Sequence, residues 1–291
     1  PLAPFQRAAA EVRVALAASS ATHAVLPMLA TRQGVRLQLE TGVRSHLRRF
    51  GWDGGFWLPE CAYTPGLEWR LAEQGVRWFC VDQSAHVEPL EALAPVRTGA
   101  GPVALPIDWE AISWLWSLDG YPSDPAHAQF AGKSLRGIRI WRVGGGAYDP
   151  AAAEAAGVRL LTVPQALAEH EPVERPLRAS TWGEGKDLRT WDSPAVADLA
   201  TGARRLELRL LRAVAGGLRG APLERAAREL LAAQASDWAF LDQRKQAGDY
   251  AYQRATDHSR AMLEAIDCDP ATDPRMRSLA PDLSLAPLLE P

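Results

Sequence analysis

The stretch GFWLPECAYTPGLEWRLAEQGVRWFCVD, residues 55–82, decides the fold. After the Asp53-Gly54-Gly55 turn comes a short apolar run, Phe56-Trp57-Leu58, which reads as a strand. Pro59 stops it, because proline cannot donate to a central sheet ladder, and this leaves Glu60 just past the strand end. Pro65-Gly66 opens a short helix through Gln74, Gly75 ends it, and Val76-Arg77-Trp78-Phe79-Cys80-Val81 reads as a second strand. A βαβ unit of this kind predicts an α/β fold with a parallel sheet covered by helices. Ligand sites in such folds gather at the carboxyl ends of the strands. Glu60 and Asp82 both fall there and are both candidates on topology alone.

Upstream, residues 5–47 are mostly helical in pattern, broken by a β-like run from Val12 to Ala17 and the small polar segment Ser19-Ser20-Ala21-Thr22-His23. Downstream, residues 83–150 are rich in Gly, Pro and Trp with weak periodicity, which predicts long loops around an inserted region. Val158 to Val163 reads as a strand and Pro164 as the start of a helix toward Ala168. From Ser193 the character changes. Helices are expected from Pro194 to Gly216, from Pro222 to Gly248 and from Asp249 to about Ile266, packed as antiparallel neighbours in a helical domain. Residues 268–291 read as an irregular, Pro-rich tail.

The composition bounds the partners. With 47% apolar and 23% charged residues the 291-residue chain has ordinary globular usage, which argues against disorder or a coiled coil. The 32 basic and 35 acidic residues nearly balance, and no dense basic run exists to track phosphates, so no nucleic-acid partner is expected. Three cysteines without a C-x-x-C pair suit a reducing compartment, so a cytoplasmic location is expected. No membrane partner is expected either, since no apolar stretch reaches the roughly 18 residues of a span. The six histidines, His23, His46, His86, His127, His170 and His258, are scattered without H-x-x-x-H spacing, which weighs against a metal hydrolase; neither a metal nor another cofactor is expected. A thiol enzyme built on Cys61 would need a nearby His base.

Tryptophan is the outlier, with eleven residues. Indoles in such number serve either as bulky core or as flat platforms for a planar or sugar ligand. In Ser180-Thr181-Trp182-Gly183-Glu184-Gly185, followed by Trp191-Asp192, an indole sits in a glycine-rich loop, where core packing explains it less easily. Stacking on a pyranose ring is the alternative, and carbohydrate enters here as a hypothesis. Farther on, Leu230, Gln234, Asp237, Trp238 and Leu241 share one face of the expected second helix. The polar members of that face either satisfy an internal network or meet a polar ligand.

Taken together these segments resemble glycoside hydrolase family 57, in particular its 1,4-α-glucan branching enzymes. Gly55-Phe56-Trp57-Leu58-Pro59-Glu60-Cys61-Ala62-Tyr63 looks like the family's nucleophile motif, and Ala21-Thr22-His23-Ala24-Val25-Leu26-Pro27 resembles its second motif. Ser113-Trp114-Leu115-Trp116-Ser117 with Gly120-Tyr121-Pro122-Ser123-Asp124, then Ser180-Thr181-Trp182-Gly183, then Gln234-Ala235-Ser236-Asp237-Trp238-Ala239-Phe240 follow in family order. The resemblance implies a distorted (β/α)7 barrel, incomplete in this chain, followed by an α-helical C-terminal domain. In residue terms, 1–180 would be the barrel with an inserted loop region around 83–150, 181–267 the helical domain closing the site, and 268–291 the tail. It further implies a retaining mechanism on an α-glucan such as glycogen or amylose, with Glu60 as nucleophile and His23, Trp57, Trp116, Trp182, Trp191, Asp237 and Trp238 binding substrate.

Two family features lack a counterpart: a first, His-containing motif, and the fourth motif that supplies the acid/base. The fourth should lie between Tyr148-Asp149-Pro150 and Val158-Arg159-Leu160-Leu161-Thr162-Val163-Pro164, where only a few Ala-rich residues stand. The chain is expected to join segments of a longer polypeptide, with stretches absent before Pro1 and near Ala156-Gly157. A true deletion would instead leave a glucan-binding protein without turnover. Replacement of the acid/base by Asp124 or Asp149 would place one of them near Glu60. The bland alternative for Glu60 itself is a helix cap or a pair with arginine.

Overall fold

The computed structural model describes residues 2–11, 14–86, 93–108, 134–135, 138–139, 159, 161–268 and 277–290. Two compact units emerge, one of residues 1–106 with 172–291 and one of residues 107–171. Trp116, Asp124, Asp149 and the Ala156-Gly157 junction lie outside the described residues.

The first unit carries strands β1 (Ala18–Ser19), β2 (Gly55–Trp57), β3 (Trp78–Val81), β4 (Val96–Arg97) and β5 (Val103–Pro106). The second unit contains the two-stranded antiparallel pair β6 (Ser134–Leu135) and β7 (Ile138–Arg139). Back in the first unit, β8 (Val173–Glu174) completes a six-stranded sheet in the order β1-β2-β3-β5-β4-β8. The first four of these run parallel, β4 is antiparallel to β5, and β8 is parallel to β4. The fold is thus α/β with a sheet rich in parallel pairs, as the 55–82 stretch predicts. The register sets Trp57 against Cys80, which brings the segments after β2 and β3 to the same sheet end.

Gly55 is needed at the head of β2 because a Cβ there would lie 2.1 Å from the Trp78 ring. Phe56, Leu58, Phe79, Val81 and Ala104 bury completely against Leu39, Val43, Leu71 and Tyr63, forming the core between sheet and helices. β1 falls at Ala18–Ser19, just past the β-like run, where the Ser19 hydroxyl donates to the Trp57 carbonyl at 2.9 Å.

The helical part corrects the sequence reading in three places. The first long helix begins at Ala197 and runs to Ala215, since Ser193 and Pro194 form a turn closed by the Val196 N–H on the Ser193 carbonyl. The stretch expected as one helix from Pro222 to Gly248 is two, Gly220–Ala233 and Ser236–Gln243. Between them Ala235 is extended and pairs with Ala24, so Leu230, Gln234, Asp237, Trp238 and Leu241 do not form one continuous stripe. In the second unit the described part of the Val158–Val163 run is no strand. Val163 instead begins the helix Val163–Glu169, whose Thr162 and Gln165 form a capping box.

The helix Tyr250–Ile266 follows, and Leu206, Leu210, Leu223, Leu230, Leu231 and Met262 share a cluster with Leu37 of the helix Arg32–Leu47. The tail carries a short helix, Ala286–Leu289. It is held to the rest of the unit by Asp282, which accepts from Arg48 at 2.6 Å and from Arg49.

A buried carboxylate ties the helices to the sheet side. Glu207, 1% exposed, accepts from the Ala30 N–H at 3.1 Å, from the Thr31 hydroxyl at 2.5 Å and from the Gln234 amide at 3.0 Å. Thr31 is the N-cap of Arg32–Leu47 and accepts from the Gly34 N–H, so Glu207 extends the capping of that helix. Gly34 makes room for it, since a Cβ there would lie 2.3 Å from the Glu207 carboxyl carbon. Removing an acceptor from buried donors costs about 1–3 kcal/mol per donor left bare. Glu207→Leu is therefore expected to lower stability by about 3 kcal/mol or more, and Glu207→Gln by clearly less, in urea unfolding of the whole chain.

Candidate active site

Glu60 stands in the tight turn Pro59–Cys61 directly after β2, with φ 61° and ψ 17°. Cys61 follows at φ 48°, so two consecutive non-glycine residues occupy the left-handed region. Such backbone costs energy and persists where surrounding contacts over-determine it. Here the contacts are on both sides: Cys61 and Ala62 donate to Leu58 and Pro59, and Tyr63 exchanges both backbone hydrogen bonds with Ser180. That bridge carries the 180–187 loop past the Pro59–Cys61 turn. Trp182 then donates its backbone N–H to the Glu60 carbonyl at 3.0 Å and its indole N–H to Glu60 Oε2 at 2.7 Å.

The other carboxylate oxygen is met from the opposite part of the chain. The Ala24–Ala235 bridge and the Ser236 N–H on the His23 carbonyl set Ser236, first residue of its helix, beside His23. The Ser236 hydroxyl donates to Glu60 Oε1 at 2.7 Å. His23 Nδ1 lies 3.1 Å from Ser236 Oγ and 3.5 Å from Glu60 Oε1. Because the single Ser236 proton is committed to the carboxylate, the hydrogen on this side of the imidazole belongs on Nδ1. Glu60 is 9% exposed, and its partners are an indole, a hydroxyl and an imidazole; among the described residues it forms no pair with arginine.

Burial pushes the Glu60 carboxyl up, but hydrogen bonds from His23, Ser236 and Trp182 outweigh it and leave the pKa below the usual carboxylate value. His23 moves upward: its hydrogen bond to Glu60 raises it, burial opposes this, and the charges of Glu60 and Asp237 add to the rise. An ionised carboxylate offers about four lone-pair positions, and three donors leave room for one more bond. The arrangement is a buried anion, held ionised and still able to bond once.

The other expected binding residues divide. Trp57 and Trp182 meet edge to face at 5.3 Å, and both are half-buried. Asp237 is exposed, one residue beyond Ser236. Trp238 donates its indole N–H to the Ala232 carbonyl at 2.7 Å and stacks on His258. Trp191 is only 1% exposed, packed with Val25, Ala62, Val196 and Ala239. Trp191, Trp238 and Ser236 also line a cavity of about 210 Å³ among the C-terminal helices, together with Tyr252 and Glu207.

Asp82, at the end of β3, is fully buried, accepts from Ser84 and pairs with Lys186 at 3.1 Å. Ser236 and Lys186 escaped the sequence reading. Ser236 lies inside a quoted motif, but nothing local distinguishes a contact made across 176 residues. Burial, then the neighbouring Cys80, Asp82 and Glu60, push the Cys61 thiol up, so it is no ready thiolate. Among the described residues no cluster of three His, Cys, Asp or Glu is placed to hold a metal ion, and no helix is long and apolar enough to cross a membrane.

Two family models match the chain: glycosyl hydrolase family 57 over residues 2–134, and the C-terminal region of 1,4-alpha-glucan branching enzyme over residues 203–274. Over these two regions the chain is similar to glycoside hydrolase family 57 and its branching enzymes. It is 27% identical to a 1,4-alpha-glucan branching enzyme of Thermococcus kodakarensis, over 83% of the chain and 52% of that protein. It is 28% identical to a probable 1,4-alpha-glucan branching enzyme of Mycobacterium tuberculosis, over 83% of the chain and 61% of that protein. The chain thus spans between half and two thirds of the length of these curated relatives. The Thermococcus match runs over 351 positions while taking in only part of a 291-residue chain, so it opens long gaps within this sequence. In fold, the chain is similar to the crystal structure of a family 57 branching enzyme from Pyrococcus horikoshii, with a TM-score of 0.77 at 22% identity over 91% of this chain and 66% of that one.

Each donor to Glu60 lowers its pKa. Ser236→Ala is therefore expected to raise the Glu60 titration midpoint, as seen by carboxyl 13C NMR with Glu60→Gln as the assignment control.

Proposed function

We propose that this chain carries the donor site of a retaining α-glucan transglycosylase of the branching type, with Glu60 as its nucleophile. The observation that supports it most directly is the Glu60 carboxylate itself: nearly dry, ionised by three donors, and set at a strand end of a parallel-rich sheet. Glu60 attacks the anomeric carbon of an α-1,4-linked glucan, forming a C1–O bond as the glycosidic C1–O bond breaks. A second carboxyl gives its proton to the departing oxygen. That group then takes the proton of a glucan 6-hydroxyl as this acceptor displaces Glu60, giving an α-1,6 linkage with retained configuration. Retention asks for about 5–5.5 Å between the two carboxyls. Asp124 and Asp149 are the candidates for the second one within this chain. His23, Trp57, Trp116, Trp182, Asp237 and Trp238 are proposed to bind the glucan, whereas Trp191, expected with them, is a core residue at 1% exposure. The resemblance further suggests the (β/α)7 barrel over 1–180 and the closing helical domain over 181–267.

Incubation with amylose tests this. Loss of iodine colour together with new α-1,6 linkages is the expected result, and Glu60→Gln abolishes both while sugar binding persists. Binding with neither change would make the chain a glucan-binding module on the same scaffold. Replacing Asp124 or Asp149 by Asn is expected to slow turnover by about 10²-fold or more for whichever is the acid, with rescue by azide as a small anionic nucleophile.

A further inference from the structure

The loop that delivers Trp182 to Glu60 is itself strained. Lys186 has φ 61°, a conformation that disfavours every residue but glycine, in a loop that also needs Gly185 at φ 69°. Hydrogen bonds close this loop into a ring. The Thr181 N–H donates to the Lys186 carbonyl at 3.1 Å, the Lys186 N–H to the Gly183 carbonyl at 3.0 Å, and the Thr181 hydroxyl to the Asp187 carbonyl at 2.6 Å. The Gly183 N–H returns to the Thr181 hydroxyl at 3.0 Å. Trp182 therefore sits one residue from a direct backbone bond to Lys186.

Lys186 reaches out of this ring to the sheet. Its ammonium lies 3.1 Å from Asp82 Oδ2, and Asp82 has no exposure. Asp82 Oδ1 meanwhile accepts from the Ser84 N–H at 2.8 Å and the Ser84 hydroxyl at 2.5 Å. A carboxylate so enclosed and so occupied has no path to a substrate proton, which sets it apart from Glu60 although both stand past neighbouring strands of one sheet. Its charge is a fixed point of the sheet, and the half-exposed Lys186 side chain is anchored to it by this ion pair.

We propose that the Asp82–Lys186 ion pair is a positioning device for the nucleophile: it holds the 181–187 ring against β3 so that the Trp182 indole N–H stays on Glu60 Oε2. Neither residue touches the carboxylate; both act through Trp182. The word nucleophile rests on the function proposed above, whereas the mechanical coupling stands on geometry alone. Other charges face Glu60, namely His23 directly and Asp237 through His23, so the test must separate a route through Trp182 from a direct effect of the Lys186 charge.

A double-mutant comparison does so, with the Glu60 carboxyl followed by 13C NMR in the full chain. Trp182→Phe deletes the indole N–H and is expected to raise the Glu60 midpoint measurably. Lys186→Met is expected to reproduce most of that rise, to add nothing on top of Trp182→Phe, and to be restored by Lys186→Arg. Asp82→Asn and Lys186→Gly, the latter keeping the left-handed backbone accessible, serve where Lys186→Met does not fold, and both should behave as it does. Additive shifts would mean direct charge action and overturn the proposal. So would an unmoved midpoint in the Lys186 and Asp82 variants, or in Trp182→Phe. Failure of the unmodified chain to act on amylose would sink the branching reading and leave this titration as it stands.

Discussion

A charged carboxylate has to stay charged after most of its water has been taken away. Burial of Glu60 favours the neutral acid, and only donors placed at hydrogen-bond distance reverse that preference. No one segment of the chain provides them. Trp182 arrives on a glycine-containing loop, Ser236 at the start of a helix, and His23 at the end of the polar stretch after β1. Much of the unit's architecture answers to this demand: the Tyr63–Ser180 and Ala24–Ala235 bridges, the break between the Gly220–Ala233 and Ser236–Gln243 helices, and the left-handed residues His23, Glu60 and Cys61.

The helix break illustrates the trade. A continuous helix through residues 233–237 would satisfy more backbone hydrogen bonds locally, and its hydrophobic spacing supports one. Extending the chain at Ala235 forfeits that turn, but it lets the strand-like pairing with Ala24 place Ser236 next to His23. Local regularity yields here to a long-range contact with a charged group, which is worth more than a neutral one. Glu207 does the complementary task from below, satisfying donors at the start of Arg32–Leu47 and orienting Gln234, the last residue before the break.

The βαβ stretch was readable from the sequence because its signals are local: a proline stop after Trp57, a glycine stop at Gly75 and a β-rich run ending at Val81. The place of Glu60 past a strand end was readable for the same reason, from the Trp57-Leu58-Pro59 stop beside it. The single helix expected from Pro222 to Gly248 fails because apolar spacing cannot register a pairing with residue 24. Trp191 and Trp182 look alike in a sequence, each indole preceded by threonine and within two residues of an acid, yet one is closed in the core at 1% exposure and the other hydrogen-bonds the carboxylate. Ser236 and Lys186 carry no local mark at all; their meaning comes from partners 176 and 104 positions away.

Those separations bear on how the protein is born. A chain emerging from the ribosome releases Glu60 long before Trp182, and Trp182 well before Ser236. During that interval the carboxylate is hydrated, titrates like any other glutamate, and has no reason to adopt a left-handed backbone. Contacts between distant positions close late and limit the rate of folding, so the enclosed carboxylate is among the last features to mature. A truncated nascent chain, however well its sheet has formed, would lack the donors that keep Glu60 ionised.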